Sequence, residues 1–155
     1  MVETRLIATL NDEAAEEITQ RLIAYNRSRI AAQAEAPHEP QQLHVFAYDE
    51  HGNLIGGVTG RTHAIPFWLE ISILWVDEAQ RRQGLGGRLM WRAEQEAMGR
   101  GCRYARLAPS HYQAPRFYAK IEYVRYGLLD NCPPGETVSY FWKPLIQDGS
   151  TPNAL

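Results

Sequence analysis

Val76-Asp77-Glu78-Ala79-Gln80-Arg81-Arg82-Gln83-Gly84-Leu85-Gly86-Gly87-Arg88-Leu89-Met90 is the stretch around which this chain is organised. The run before it, Glu70-Ile71-Ser72-Ile73-Leu74-Trp75-Val76, is apolar and rich in β-branched residues, and reads as a buried strand. After it, Leu85, Leu89, Ala93 and Ala97 recur every four residues, with Arg88, Arg92, Gln95 and Glu96 between them, the stripe of an amphipathic helix. Two arginines and three glycines join strand to helix. Without a Cβ in the way, such a turn lets backbone approach a bulky anion. The unpaired N–H groups of the first helical turn, and the helix dipole, then favour negative charge there. The stretch predicts a phosphate-holding loop.

Two familiar phosphate loops do not fit. A P-loop closes its glycine run with Lys-Ser or Lys-Thr, whereas Gly87 is followed by Arg88. A dinucleotide fingerprint needs a small residue three positions after Gly86, and that position is Leu89.

With 155 residues, 45% hydrophobic and 22% charged, the chain has the material for one globular domain with a core and not for two. No apolar run approaches the ~20 residues of a membrane span, and Met-Val-Glu-Thr-Arg lacks the basic and apolar regions of a signal peptide. Cys102 and Cys132 match no metal-ligand spacing and are expected to be reduced thiols in a cytoplasmic protein, with no metal. Residues 1–80 carry five Arg against twelve acids (−7); residues 81–155 carry nine Arg and two Lys against six acids (+5). That split suits an anionic ligand at the glycine loop and a cationic second substrate elsewhere, or is ordinary scatter of surface charge. A nucleic-acid footprint would be more basic and more clustered.

Taken in order, residues 3–10 read as a first strand. Asn11-Asp12 offers an N-cap for a helix to about Arg29, with Glu13, Glu16 and Glu17 where the dipole wants acid. A second helical piece, residues 30–36, ends at Pro37-His38-Glu39-Pro40, where His38 reads as a loop histidine or a pocket residue. Residues 43–48 and 54–62 are strands joined by the turn Asp49-Glu50-His51-Gly52-Asn53. Gly56, Gly57 and Gly60 in the second strand suggest close backbone approach or a bulge. Ala64-Ile65-Pro66 turns the chain into a strand over 67–76, antiparallel to its predecessor. Gly99-Arg100-Gly101 stops the central helix, and residues 102–108 form a strand parallel to 67–76. A short helix over 114–120 and strands over 123–129 and 137–145 follow, and residues 146–155 read as a polar, flexible tail.

Arg81-Arg82-Gln83-Gly84-Leu85-Gly86 resembles the Arg/Gln-x-x-Gly-x-Gly/Ala pyrophosphate loop of the GCN5-related N-acetyltransferases, the GNAT superfamily. Phe117-Tyr118-Ala119-Lys120-Ile121-Glu122-Tyr123 resembles its Phe/Leu-Tyr-x-Lys-x-Gly-Phe/Tyr motif, and the order of elements is similar over residues 3–145. Leu74-Trp75-Val76-Asp77-Glu78, Arg100-Gly101-Cys102, Gln113 to Tyr118 and Pro133-Pro134-Gly135 resemble a set of bacterial members of undefined substrate. Two departures stand out: Glu122 replaces the usual glycine, and Ser110 stands near where an Asn is common.

The resemblance implies an α+β fold in one domain, residues 1–145, with a mixed, mostly antiparallel sheet whose splayed parallel pair holds CoA. It implies acetyl-CoA as donor, without a metal, and direct transfer to a primary amine of a small molecule. A protein or peptide acetylase and a non-catalytic acyl-CoA-binding module are the alternatives. Nucleic acid and membrane are not implied as partners, and a homodimer is left open. The donor's diphosphate would lie on Arg81, Arg82, Gln83, Gly84, Leu85, Gly86, Gly87 and Arg88, its pantetheine along Leu74, Trp75 and Val76, with Ser110 and Phe117 also in contact. A backbone N–H near Leu74 would meet the developing oxyanion, an effect worth ~3–4 kcal/mol per donor in other acyl transfers.

Direct attack needs an amine that has lost its proton and a thiolate that gains one. Tyr118 matches the family's general acid; a core tyrosine is the structural alternative. Glu70, 14 residues before Gly84, has the spacing of the catalytic glutamate of histone-acetylating members. At the mouth of an apolar strand it is expected to have a raised pKa and to act as base, with a strand-end salt bridge as the alternative. His63 and His111 are secondary candidates, and Trp68, Tyr112, Tyr126 and Tyr140 could shape an amine pocket or pack in the core.

Overall fold

A computed structural model describes residues 8, 10–29, 39–64, 67–109 and 115–145. Of the expected first strand over 3–10, residues 8 and 10 are described and neither is in a strand; the helical piece over 30–36 with His38, the loop holding Ser110, His111 and Tyr112, and the tail over 146–155 lie outside the described residues. The chain divides into two compact units, Met1–Ala36 and Pro37–Leu155.

In the first unit, helix α1 spans Asp12–Arg29. The Asn11 side chain accepts from the backbone N–H of Ala14 at 3.0 Å, so the cap expected from Asn11-Asp12 is formed by Asn11.

The second unit is a six-stranded sheet in the order β1-β2-β3-β4-β6-β5. Its strands are β1 (Gln41–Tyr48), β2 (Leu54–His63), β3 (Trp68–Val76), β4 (Tyr104–Leu107), β5 (Val124–Asp130) and β6 (Thr137–Pro144). Helix α2 (Leu85–Gly99) links β3 to β4, and the short α3 (Pro115–Lys120) precedes β5. Among the described residues only β3 and β4 pair in parallel; every other neighbouring pair is antiparallel. The mixed sheet and its single parallel pair are as the sequence implies.

The apolar stripe of α2 is the core. Leu85, Leu89, Met90, Ala93 and Ala97 are buried against Leu43 of β1, Val58 of β2, and Leu69 and Ile71 of β3. Each large aliphatic side chain buried in this way contributes roughly 2 kcal/mol. Glu94 shares that buried face, a charged residue at a position the four-residue recurrence skips.

Two features of β3 position the site. Thr59 pairs with Ile73, but Gly60 pairs with Ile71, so Ser72 is an extra residue. This is a β-bulge, and it restores Leu74 and Val76 to the face that packs on the core. The pairing of β3 with β4 covers only Trp68↔Tyr104 to Ile71↔Leu107, and beyond Ile71 the two parallel strands part. The edge of β3 from Ser72 to Val76 has no strand on that side among the described residues.

Candidate active site

The cleft opened by that parting is walled by the end of β3, the glycine loop and α3. Leu74, Trp75, Val76, Gln80, Arg81, Arg82, Gly84, Leu85, Gly86, Gly87 and Phe117 line it, with Arg116, Tyr118 and Lys120 from α3, around a cavity of about 720 Å³. Asp77 starts the loop, accepting from the N–H of Ala79 at 2.9 Å and setting a short 3₁₀ turn over Glu78–Gln80. Arg82 follows at φ 63° and Gly84 at φ 80°, both left-handed, a conformation glycine adopts without strain and arginine does not. As N-cap of α2, Gly84 brings no side chain to bond the first turn, so the leading N–H groups of the helix are left for a ligand.

Of the thirteen residues expected to hold the donor, ten line this cleft. Gln83 and Arg88 are exposed outside its lining; the Gln83 amide donates to the Ala79 carbonyl at 3.1 Å, and Arg88 lies on the outer side of α2. The thirteenth, Ser110, lies outside the described residues. Arg81 donates through Nε to the Val76 carbonyl at 3.0 Å, so it also fastens the loop to the strand. Sequence reasoning missed Gln80, Arg116 and Lys120. The last two stand four apart on α3, one helical turn, and that spacing was the available signal. The cleft thus has a cationic end around Arg81, Arg82, Arg116 and Lys120 and an apolar wall of Leu74, Val76, Leu85 and Phe117. A diphosphate with a long, weakly polar arm fits that distribution.

Tyr118 is buried, its ring packed against Phe117, Tyr123 and Phe141 at 5.2, 6.1 and 5.5 Å. It faces both the cleft and a small cavity lined also by Ile71, Ser72, Leu74, Leu107, Ala108 and Pro109. Burial pushes its pKa up to about 12, so the hydroxyl keeps its proton throughout the neutral range. Glu122, where a glycine was expected, holds φ 70° and so keeps the backbone conformation a glycine would have had, at the cost of strain.

Beyond the small cavity is a third of about 410 Å³, lined by Glu70, Ile71, Ser72, Arg106, Leu107, Ala108, Tyr126 and Tyr140. Glu70 does not have the raised pKa expected of it. Arg106 donates to Glu70 Oε2 at 2.9 Å and, with the charges of Arg106, Arg61 and His63, outweighs partial burial and lowers the pKa. His63 Nε2 lies 3.2 Å from the same oxygen, and Arg61 Nη2 lies 3.5 Å from Oε1. The strand-end ion pair is therefore present, and the pocket is not the acidic site that the charge split suggested. Arg106 was missed because its partner is 36 positions away in sequence. Tyr126 and Tyr140 line this cavity with ring centroids 6.1 Å apart, whereas Trp68 lies beneath the Arg106 guanidinium.

A buried network ties α2 to β6. Glu94 of α2 accepts from the Tyr123 hydroxyl at 3.0 Å and from Lys143 Nζ of β6 at 2.8 Å. Burial and the adjacent carboxylate raise the pKa of Tyr123 far beyond the ordinary range.

Comparison with known proteins agrees with this geometry. The sequence model of the acetyltransferase (GNAT) family matches residues 6–123. A blasticidin-S acetyltransferase of Streptomyces morookaense is 38% identical over 101 residues, 64% of this chain and 73% of that protein. The crystal structure of an acetyltransferase from Bacillus cereus superposes with a TM-score of 0.77 at 33% identity, covering 91% of this chain and 98% of that one. An aminoglycoside 6'-N-acetyltransferase solved with coenzyme A shares the fold, with a TM-score of 0.62 at 18% identity, covering 94% of this chain and all of that one. The chain belongs to the GNAT family and is an acetyltransferase.

Proposed function

We propose that this acetyltransferase moves an acetyl group from acetyl-CoA to a primary amine of a small molecule by direct attack. The observation that carries the reading is a series of three cavities that share lining residues around the parted strands. The loop cleft shares Leu74 and Tyr118 with the small cavity, which shares Ile71, Ser72, Leu107 and Ala108 with the Glu70 pocket. Donor and acceptor can thus approach from opposite ends and meet beside Tyr118. The blasticidin-S relative and the coenzyme A complex support a small-molecule acceptor and this donor. The family match runs across both compact units, which supports one acetyltransferase domain over residues 1–145.

Acetyl-CoA supplies the activated acyl thioester. In this reading the leading N–H groups of α2, with Arg82, Arg116 and Lys120, hold the diphosphate, and the free edge of β3 over Leu74–Val76 aligns the arm. Tyr118 holds a proton that its raised pKa retains until a thiolate is released beside it. Glu70, ionised and 3.2 Å from His63, is the group to which the amine's proton passes. Calorimetric titration with acetyl-CoA and a free-thiol release assay with amines test the reading. Gly86→Asp, which places a carboxylate in the first turn of α2, should weaken acetyl-CoA binding at least 10-fold. Absence of binding by the wild type at millimolar acetyl-CoA would overturn the proposal.

A further inference from the structure

The Glu70 pocket is lined by one carboxylate, Glu70, and one guanidinium, Arg106, and Arg61 reaches Glu70 from outside the lining. Arg106 Nη2 and Arg61 Nη2 lie 2.9 and 3.5 Å from the two carboxylate oxygens. Even with the His63 imidazole neutral, the group carries an excess of one positive charge among the described residues. No other acidic residue lines the cavity among the described residues. The excess is not evenly placed. Arg61 stands outside the lining, whereas Arg106 forms part of it, its side chain 44% exposed.

Arg106 is also held in place. Its guanidinium lies over the Trp68 ring, 5.1 Å from the centroid, and a single nitrogen contacts Glu70 within hydrogen-bond distance. A guanidinium carries five N–H donors in a planar fork. The rest of that fork has no hydrogen-bond partner among the described residues, and Arg106 is one of the residues lining a cavity of about 410 Å³. Such a fork recognises planar or tetrahedral oxyanions by paired hydrogen bonds.

We propose that the acceptor carries an oxyanion, a carboxylate or a phosphate ester, alongside its amine, and that Arg106 is the specificity-determining residue that receives it. The inference rests on the small-molecule N-acetylation reading above and names its substrate class.

The test is thiol release from acetyl-CoA with matched acceptors. Straight-chain ω-amino acids of several lengths are paired with their amides, and ω-aminoalkyl phosphates with the corresponding alcohols, so that amine basicity changes little within a pair. The expected result is a kcat/KM at least 10-fold higher for the anionic member of one pair type, expressed mainly in KM. Which pair type shows it identifies the oxyanion. In Arg106→Gln the ratio should fall towards one, and Arg106→Lys should retain part of it. Acetyl-CoA affinity, measured on the same samples, reports whether each variant is folded. Neutral members used as well as or better than their anionic partners by the wild type would overturn the inference while leaving N-acetylation standing. So would an unchanged ratio in Arg106→Gln. Thiol release with no amine, despite acetyl-CoA binding, would overturn the parent reading and this one with it.

Discussion

Gly60 lies so close to Glu70 that a Cβ built on it would stand 2.3 Å from the Glu70 carbonyl oxygen. That approach occurs where the bulge inserts Ser72 into β3, so the glycine and the bulge are one device. Because the obstructing atom is backbone, a side-chain rotation cannot relieve the clash.

Gly60→Ala should therefore push β2 from β3 and cost about 1–3 kcal/mol of stability, the usual range for overpacking a closely packed site. Denaturant unfolding reads this directly. Activity should fall further than stability alone requires, because the bulge also sets which way Leu74 and Val76 face. A variant as stable as the wild type would show that the strands do not approach this closely.

Tyr118→Phe should keep the packing of the ring against Phe117, Tyr123 and Phe141 and remove only the hydroxyl. The expected loss is ~10²-fold or more in kcat, the usual contribution of general acid catalysis, with acetyl-CoA affinity little changed. Since its pKa is pushed up to about 12, Tyr118 should impose no alkaline decline in rate below about pH 10. Unchanged turnover would mean that the thiolate leaves unaided or through another donor.

How much of this was legible depends on range in sequence. The β3–loop–α2 unit was readable because periodicity and turn chemistry are local, and the pairings β1–β2, β2–β3 and β3–β4 followed from hairpins and one crossover, whereas the place of β6 between β4 and β5 did not. The departure at Glu122 was readable as a difference, but not its outcome, since only the fold shows that the position keeps a left-handed φ. Of the two readings of Glu70, a base of raised pKa or a strand-end salt bridge, the fold shows the ion pair and a lowered pKa. Glu70 was placed correctly on its strand, but its pKa is set by Arg106 on a strand that pairs with it only after the α2 crossover. Glu94, Tyr123 and Lys143 are likewise unremarkable singly and meet only across α2, the end of α3 and β6. Ser110 and the loop around it lie beyond the described residues, and their expected role remains a proposal.

That network makes an asymmetric prediction. Lys143→Met leaves the buried Glu94 carboxylate without its cation and should cost about 3–5 kcal/mol, the range for breaking a buried ion pair by removing one partner. Tyr123→Phe removes one hydrogen bond but leaves Lys143 in place, and should cost only ~1–3 kcal/mol. Thermal or denaturant unfolding of both variants decides it. Equal losses would mean that Lys143 stays hydrated and that the pair is effectively a surface one.

Glu70→Gln separates the structural from the chemical role of that carboxylate. Its pKa lies below the ordinary 4.5 because Arg106 and the other basic groups favour the ionised form in the folded state. The stability it contributes is therefore fully present above the unfolded pKa and lost as pH falls through the lower folded one. The gap in stability between wild type and Glu70→Gln should be present at neutral pH and close as the pH falls below the ordinary 4.5 through the lowered folded pKa. An acidic limb in kcat/KM that reports Glu70 must also lie below pH 4.5, since a lowered pKa cannot produce one at neutrality. An acidic limb that vanishes in His63→Gln would instead place the accepted proton on the imidazole 3.2 Å away, with Glu70 orienting it. A limb that follows the acceptor's own pKa and persists in both variants would assign deprotonation to solvent, leaving Glu70 and Arg106 to shape the pocket.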